Sequence, residues 1–237
     1  MKKVLITGST QGIGKALATA FVKEGYEVIV HCSKDMEKAE RVRAEIGAHK
    51  AVVCDLSDME QVVGLYAKTG AVDCLVLNAS VQYKEDWLSI GDETFDKQFN
   101  INVKSTFKLM QTYYPAMKEN GFGRIITIGS VNQYRQHEEL SVYSATKCAV
   151  MKIVEVVARQ VAPFGVTVNN VAPGAIATPR NESVYNDEEK RKAVERVIPM
   201  GRFGQVEDCV GAVLMLCSEQ GSYITGTDIV IDGGMRL

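Results

Sequence analysis

Seven short runs of apolar, largely β-branched residues recur along the chain: VLI at 4–6, VIV at 28–30, AVVC at 51–54, CLVL at 74–77, RIITI at 124–128, VTVNNV at 166–171 and IVI at 229–231. Their hydrophobicity is continuous rather than alternating, the pattern of strands covered on both faces. Between them the period changes to three and four. Ile13, Ala16, Leu17, Ala20 and Phe21 share one helix face closed by Gly25. Phe95, Phe99, Val103, Phe107, Met110, Tyr114 and Met117 form a long stripe ending before Gly121, and residues 143–161 repeat the spacing. Strands alternating with helices predict an α/β fold, a doubly wound parallel sheet with helices on both faces and ligands beyond the carboxyl ends of the strands. Residues 180–200, RNESVYNDEEKRKAVERVIPM, are expected to form a helical lid over that edge.

The first strand runs into ITGSTQGIGKAL, with Gly8, Gly12 and Gly14 at the strand-to-helix junction. Glycine lets the backbone turn sharply and approach a ligand, and the free N–H groups of a helix start favour a pyrophosphate, so dinucleotide binding is expected. A phosphate-binding P-loop is excluded, because Ser9 and Ala16 stand where it needs glycine and a hydroxyl residue. Nor is this the G-x-G-x-x-G spacing, since three residues separate the first two glycines.

Composition narrows the class further. The 237 residues are 46% hydrophobic and 24% charged with no Pro/Gly/Ser-rich linker, which fits one domain over 1–237. A formal net charge of −2 gives no basic surface for nucleic acid, and the mixed run Asp187–Lys192 reads as a solvated helix face. The six cysteines have neither C-x-x-C nor zinc spacing, so reduced thiols and no metal are expected. No run reaches the roughly 20 apolar residues of a membrane span, and the two N-terminal lysines lead straight into a strand. A cytoplasmic protein without a membrane partner is expected.

The segment VYSATKCAV, residues 142–150, places Tyr143 and Lys147 one turn apart on one helix face. A phenol titrates near pH 10, and moving one by about three units takes roughly 4 kcal/mol. An exposed ion pair supplies about 0.2–1 kcal/mol, too little. A tyrosine exchanging protons at neutral pH therefore needs a low-dielectric site with further positive charge, which an oxidised nicotinamide ring would add.

The chain carries these features in a particular order: T-G-x-x-x-G-x-G at Thr7–Gly14, Asp55 after the third strand, LNAS at 77–80 after the fourth, Asn102, Ser130 after the fifth, Tyr143 and Lys147, PGAIATP at 173–179, and ITGTDIVIDGG near the end. This set, spanning nearly the whole chain, resembles the short-chain dehydrogenases/reductases in their compact form. It looks closest to 3-oxoacyl-acyl-carrier-protein reductases through GRIITIGSV at 123–131, although sugar, polyol and steroid dehydrogenases share much of it. The resemblance implies a single-domain Rossmann-type sheet and an NAD(P)-dependent enzyme interconverting a ketone and a secondary alcohol. Tyr143 would protonate the carbonyl oxygen as hydride reaches the carbon, Ser130 would hold that oxygen, Lys147 would bind the nicotinamide ribose, and Asn102 would help hold a proton-relaying water. The cofactor contacts implied are Gly8, Ser9, Thr10, Gln11, Gly12, Ile13 and Gly14 of the turn, Asp55 with Leu56 at the adenine, Asn78 and Ala79 at its ribose, Tyr143, Lys147, and Pro173, Gly174, Ile176 and Thr178 near the carboxamide and phosphates. Ser80 departs from the family's N-A-G.

At the end of the second strand Cys32, Ser33 and Lys34 replace the usual acidic ribose partner, which favours NADP(H), with NAD(H) also admissible. Phe164 stands where acyl-carrier reductases tend to have a basic residue, leaving Arg124 as the candidate carrier-protein dock. Val184, Tyr185, Met200, Gln133 and His137 are candidate substrate contacts. The family is usually tetrameric, so a homotetramer packed through residues 95–118 and 143–161 is expected, with Ala145, Ala149 and Ala158 permitting close approach. A dinucleotide-binding sensor without turnover is the alternative, but it would have no need of the complete set Asn102, Ser130, Tyr143 and Lys147.

Overall fold

Each of the seven apolar runs is a strand, and all seven lie parallel in one sheet of the computed structural model, which describes residues 1–237. The strands are β1 Lys3–Ile6, β2 Glu27–Cys32, β3 Lys50–Val53, β4 Cys74–Leu77, β5 Gly123–Ile128, β6 Val166–Pro173 and β7 Asp228–Ile231, in the order β3-β2-β1-β4-β5-β6-β7. Register sorts alternate residues to opposite faces. Leu5, Ile29, Leu75 and Ile125 pair across one row, and Val30, Ile6, Val76 and Ile126 across the next. The first row packs in one core and the second in another. Both faces are covered, hence the unbroken hydrophobicity of the strands.

The covering helices are α1 Gly12–Lys23, α2 Met36–Ile46, α3 Met59–Thr69, α4 Asp92–Phe99, α5 Ser105–Asn120 and α6 Ser141–Val161, followed by the short α7 Glu182–Tyr185, α8 Glu188–Arg196 and α9 Val210–Cys217. Leu65 of α3, Tyr113 of α5 and Val154 of α6 fill the first core; Phe21 of α1, Val42 of α2 and Leu216 of α9 fill the second. Strand order reverses between β1 and β4, which opens a crevice above their carboxyl ends.

The stripe read over 95–117 is not one helix. A π-helical stretch, Asn100–Lys104, separates α4 from α5. Its wider turn shifts the buried face, so Phe95 and Phe107 stay exposed while Met110, Tyr113 and Met117 point into the core. No helix is long and apolar enough to cross a membrane. All six thiols are free, and Cys148 alone is exposed.

Candidate active site

The crevice is a cleft of about 600 Å³. One end is the turn after β1. Gly8 and Gly12 have φ of +64° and +53°, a region L side chains rarely enter. Gly14 is constrained by space: a Cβ there would lie 2.3 Å from the Gly8 carbonyl oxygen and 2.6 Å from Asn78 Nδ2. Gln11 starts α1 without a side-chain cap, and no acidic residue sits in the first turn. The N–H groups of a helix start thus line the cleft unneutralised, a ready anion cradle. Thr7 Oγ1 accepts the N–H groups of Asn78 and Ala79, and Asn78 Nδ2 donates to the Thr7 and Gly8 carbonyls, which ties the turn to β4.

His31 completes this bracing. Its Nδ1 accepts the Gly8 N–H at 3.0 Å, so the ring proton sits on Nε2, which donates to the Cys54 carbonyl at 3.0 Å. Burial lowers its pKa to about 4, against the upward pull of its backbone bonds. Below pH 6.5 the unfolded chain takes up a proton that the folded chain refuses, so stability falls as pH drops from 6.5 to 4 and is retained above that window. Over this range wild type is expected to lose about 3 kcal/mol more than His31→Gln in urea unfolding, from 1.36 kcal/mol per pH unit; equal pH slopes in the two proteins would remove this role. Ser9 is the exception among the turn residues. It is fully buried, its hydroxyl donates to Ile6 O and accepts His31 N–H, and its own N–H donates to His31 O, so it faces the sheet instead of the cleft.

At the end beyond β2 and β3, Cys32, Ser33, Asp55 and Leu56 line the cleft. Lys34 does not: its Nζ pairs with Asp55 Oδ2 at 3.0 Å. Burial alone would raise the Asp55 pKa, but hydrogen bonds from Ser57 and the Lys34 ammonium hold it below the usual carboxylate range. The cation that lines the cleft there is Lys38, whose Nζ donates to Gln11 Oε1 at 2.7 Å. It sits in the first turn of α2, and no motif pointed to it.

At the other end Ser130 and Tyr143 share the lining. Ser130 Oγ accepts the Asn132 N–H and keeps its own proton free to donate. Gln133 stands behind it and does not reach the cleft: its Oε1 accepts the Ser130 N–H and its Nε2 donates to Asp228. Lys147 lies under Tyr143, 4% exposed, with Nζ 5.6 Å from the phenol ring centroid and 2.7 Å from the Ile128 carbonyl, which leaves two N–H donors unspent. Burial, and then the Arg180 charge, lower its pKa to about 7. The unfolded lysine holds its proton up to about pH 10.5, so the folded chain gains stability as pH rises from 7 to 10.5 and carries the full cost of the buried ammonium below 7. Lys147→Met is expected to raise the melting temperature at pH 6–7 while activity is lost; an unchanged or lower Tm would show that the ammonium is well solvated.

Asn102 lies in the π-helical stretch, 2% exposed. Its Oδ1 accepts the Val81 N–H, and its Nδ2 donates to Val81 O and Thr146 Oγ1. With both amide protons used, the side chain pins the loop after β4 to α6 and offers a water only an oxygen lone pair. Asn78, Ala79, Pro173, Gly174, Ile176 and Thr178 line the cleft, as do Val184 and His137. Tyr185 packs edge-on against Phe203, 5.4 Å between centroids, and Met200 is exposed; neither lines it. Arg124 is buried at 3% exposure, with Nη1 on the Gly123 and Gly165 carbonyls, and presents no charge for a carrier protein.

A family model described as enoyl-(acyl carrier protein) reductase matches residues 8–236. The 3-oxoacyl-[acyl-carrier-protein] reductase FabG of Rickettsia conorii is 36% identical over 237 residues, covering 100% of this chain and 97% of the relative. The chain belongs to the short-chain dehydrogenase/reductase family. Among solved structures, a 3-oxoacyl (acyl-carrier-protein) reductase from Agrobacterium tumefaciens C58 with NADP bound superposes with a TM-score of 0.92 at 34% identity, covering 98% of this chain and 93% of that one. A protein described as an NAD(P)-dependent gluconate 5-dehydrogenase from Beutenbergia cavernae, with bound NADP, gives 0.92 at 30% identity, covering 99% and 96%. As a short-chain dehydrogenase/reductase the chain is an NAD(P)-dependent oxidoreductase that interconverts C=O and CH–OH groups. Its cleft fits that cofactor: the turn that a Cβ at Gly14 would fill and the uncapped start of α1 suit a pyrophosphate, and Lys147, beside Tyr143 though not itself on the cleft wall, keeps two donors that suit ribose hydroxyls.

Proposed function

We propose that the cleft reduces a small ketone with NADP(H), Tyr143 giving its proton to the carbonyl oxygen and Ser130 holding that oxygen by its free O–H. A bound nicotinamide dinucleotide supplies the hydride in reduction and accepts it in oxidation. Lys147 orients the nicotinamide ribose and places positive charge beneath the phenol, while Asn102 acts as a positioning residue that fixes the loop after β4. The observation carrying this reading is the shared wall of Ser130 and Tyr143 in the same cleft as the glycine turn. Loss of 340 nm absorbance from NADPH with ketones, 3-oxoacyl thioesters or keto-sugar acids tests it; NADPH that binds but is consumed by none of them would contradict it.

NADP(H) over NAD(H) is supported by Cys32 and Ser33 standing at the end of β2 in place of an acidic ribose partner and by Lys38 on the cleft wall there. Lys38→Gln is expected to lower the NADPH/NADH ratio of kcat/KM by about tenfold, the loss of one half-buried charge contact; a ratio that does not move removes the assignment. Reduction of a 3-oxoacyl thioester is supported by the Rickettsia conorii relative. A sugar acid is the second reading, favoured by Arg180 and Lys84 on the substrate side of the cleft. Exposed Phe95, Phe107 and Val156 on α4, α5 and α6 support a homotetramer through those helices, with Ala158 turned into the core instead of the interface. The mass in solution tests it. Free thiols suit a reducing compartment such as the cytoplasm.

A further inference from the structure

The catalytic half of the cleft has one sign of charge. Of all the residues lining the cleft, Asp55 is the only carboxylate, and it lies at the end beyond β2 and β3, held by Lys34. At the other end stand Arg180, directly after Pro179 where β6 leads into the lid, and Lys84, on the loop after β4. Neither is within 4.0 Å of any carboxylate. Arg180 reaches across the cleft: its Nη2 donates to the Ser80 carbonyl at 2.7 Å and to Ser80 Oγ at 3.1 Å. Both acceptors are neutral, and three of the five guanidinium N–H groups stay uncommitted.

Arg180 lines the same cleft as Ser130 and Tyr143, and its charge adds to the burial that lowers the pKa of Lys147. A guanidinium with free N–H groups, no counter-ion and two neutral, exchangeable partners is an incomplete ion pair. Asn132, Asn181 and His137 on the same walls add polar contacts but no negative charge. The Ser80 hydroxyl, together with its carbonyl, parks the guanidinium across the cleft.

We propose that the substrate carries a carboxylate as well as its reacting carbonyl or hydroxyl, and that Arg180 leaves Ser80 to receive that carboxylate, an inference that rests on the oxidoreductase reading of the cleft. The ligand class is thus a small oxo acid or hydroxy acid. Charge then selects the substrate and fixes its orientation, with the carboxylate on the lid side and the reacting oxygen toward Ser130 and Tyr143.

The test uses 3-oxobutanoate and 4-oxopentanoate against their methyl esters, at saturating NADPH, in wild type, Arg180→Gln and Arg180→Lys. Wild type should prefer each acid over its ester by about tenfold or more in kcat/KM, one charge contact's worth. In Arg180→Gln that ratio should fall toward one, through KM of the acid more than through kcat, with partial recovery in Arg180→Lys. In wild type alone, KM of the acids should rise with ionic strength while KM of the esters does not, a readout that needs no variant to fold. Esters used as well as acids, or a ratio indifferent to Arg180 and to salt, would overturn the inference and leave the oxidoreductase reading standing. Weaker NADPH binding by Arg180→Gln, measured by fluorescence, with an unchanged acid-to-ester ratio would overturn it in favour of a dinucleotide phosphate contact. If wild type oxidises NADPH with no ketone at all, the oxidoreductase reading fails and this inference falls with it.

Discussion

Tyr143→Phe is expected to lower kcat for ketone reduction by about 10²–10⁴-fold, the usual range for a positioned proton donor. The substitution removes one oxygen from a residue that is 4% exposed, and the ring keeps its packing beside Lys147, so the fold should survive. Steady-state rates at saturating NADPH, with circular dichroism to verify folding, measure the effect. Because Ser130 retains its own O–H, a residual rate should remain, polarised by that single donor. Full activity in the phenylalanine variant would remove tyrosine from the chemistry.

The second large effect is expected at Gly14, where two contributions of opposite sign meet. Alanine is favoured over glycine in a helix by about 0.8–1.0 kcal/mol, and Gly14 lies in the first turn of α1. Against this, the new Cβ would sit 2.3 Å from the Gly8 carbonyl oxygen, a main-chain atom that cannot rotate away. Relieving that contact must shift the turn or the helix start, at a cost of about 1–3 kcal/mol or more. The clash wins, and it falls on the N–H groups proposed to hold the pyrophosphate. Gly14→Ala should therefore weaken NADPH binding by at least about tenfold, equal to 1.4 kcal/mol, and lower the unfolding free energy as well. Fluorescence titration and urea unfolding separate the two effects. Wild-type affinity in Gly14→Ala would mean that the dinucleotide does not use this turn.

The parts of the site that were legible in the sequence share one property: their chemistry demands fixed local spacing. Gly8, Gly12 and Gly14 must fall at one strand-to-helix junction, and Tyr143 and Lys147 must be four apart to share a helix face, so both sets are visible without knowing what packs nearby. Strand positions were legible for a similar reason, since burial on both faces leaves no polar alternation to confuse.

What escaped depends on approach between distant segments. Lys38 reaches Gln11 across 27 residues and Arg180 reaches Ser80 across 100, and no local pattern marks either. Lys34 has the charge of a phosphate ligand, yet its ammonium is taken by Asp55. Ser9 sits within the motif but is claimed by β2, through His31. His31 itself left a readable trace, a lone polar residue inside VIVHC, because a buried imidazole must find two partners and here both are backbone groups just beyond the carboxyl ends of β1 and β3. The stripe from 95 to 117 looks continuous in the sequence because a π turn preserves hydrophobic residues while moving the face they point to.

The most direct test of the central claim is a crystal structure of the ternary complex with NADP⁺ and a secondary alcohol. The account predicts the alcohol oxygen within about 2.5–3.2 Å of both Ser130 Oγ and Tyr143 Oη, with Lys147 Nζ donating to the nicotinamide ribose while keeping its bond to Ile128 O. An alcohol oxygen bound away from Tyr143, or a nucleotide whose ribose does not meet Lys147, would contradict it.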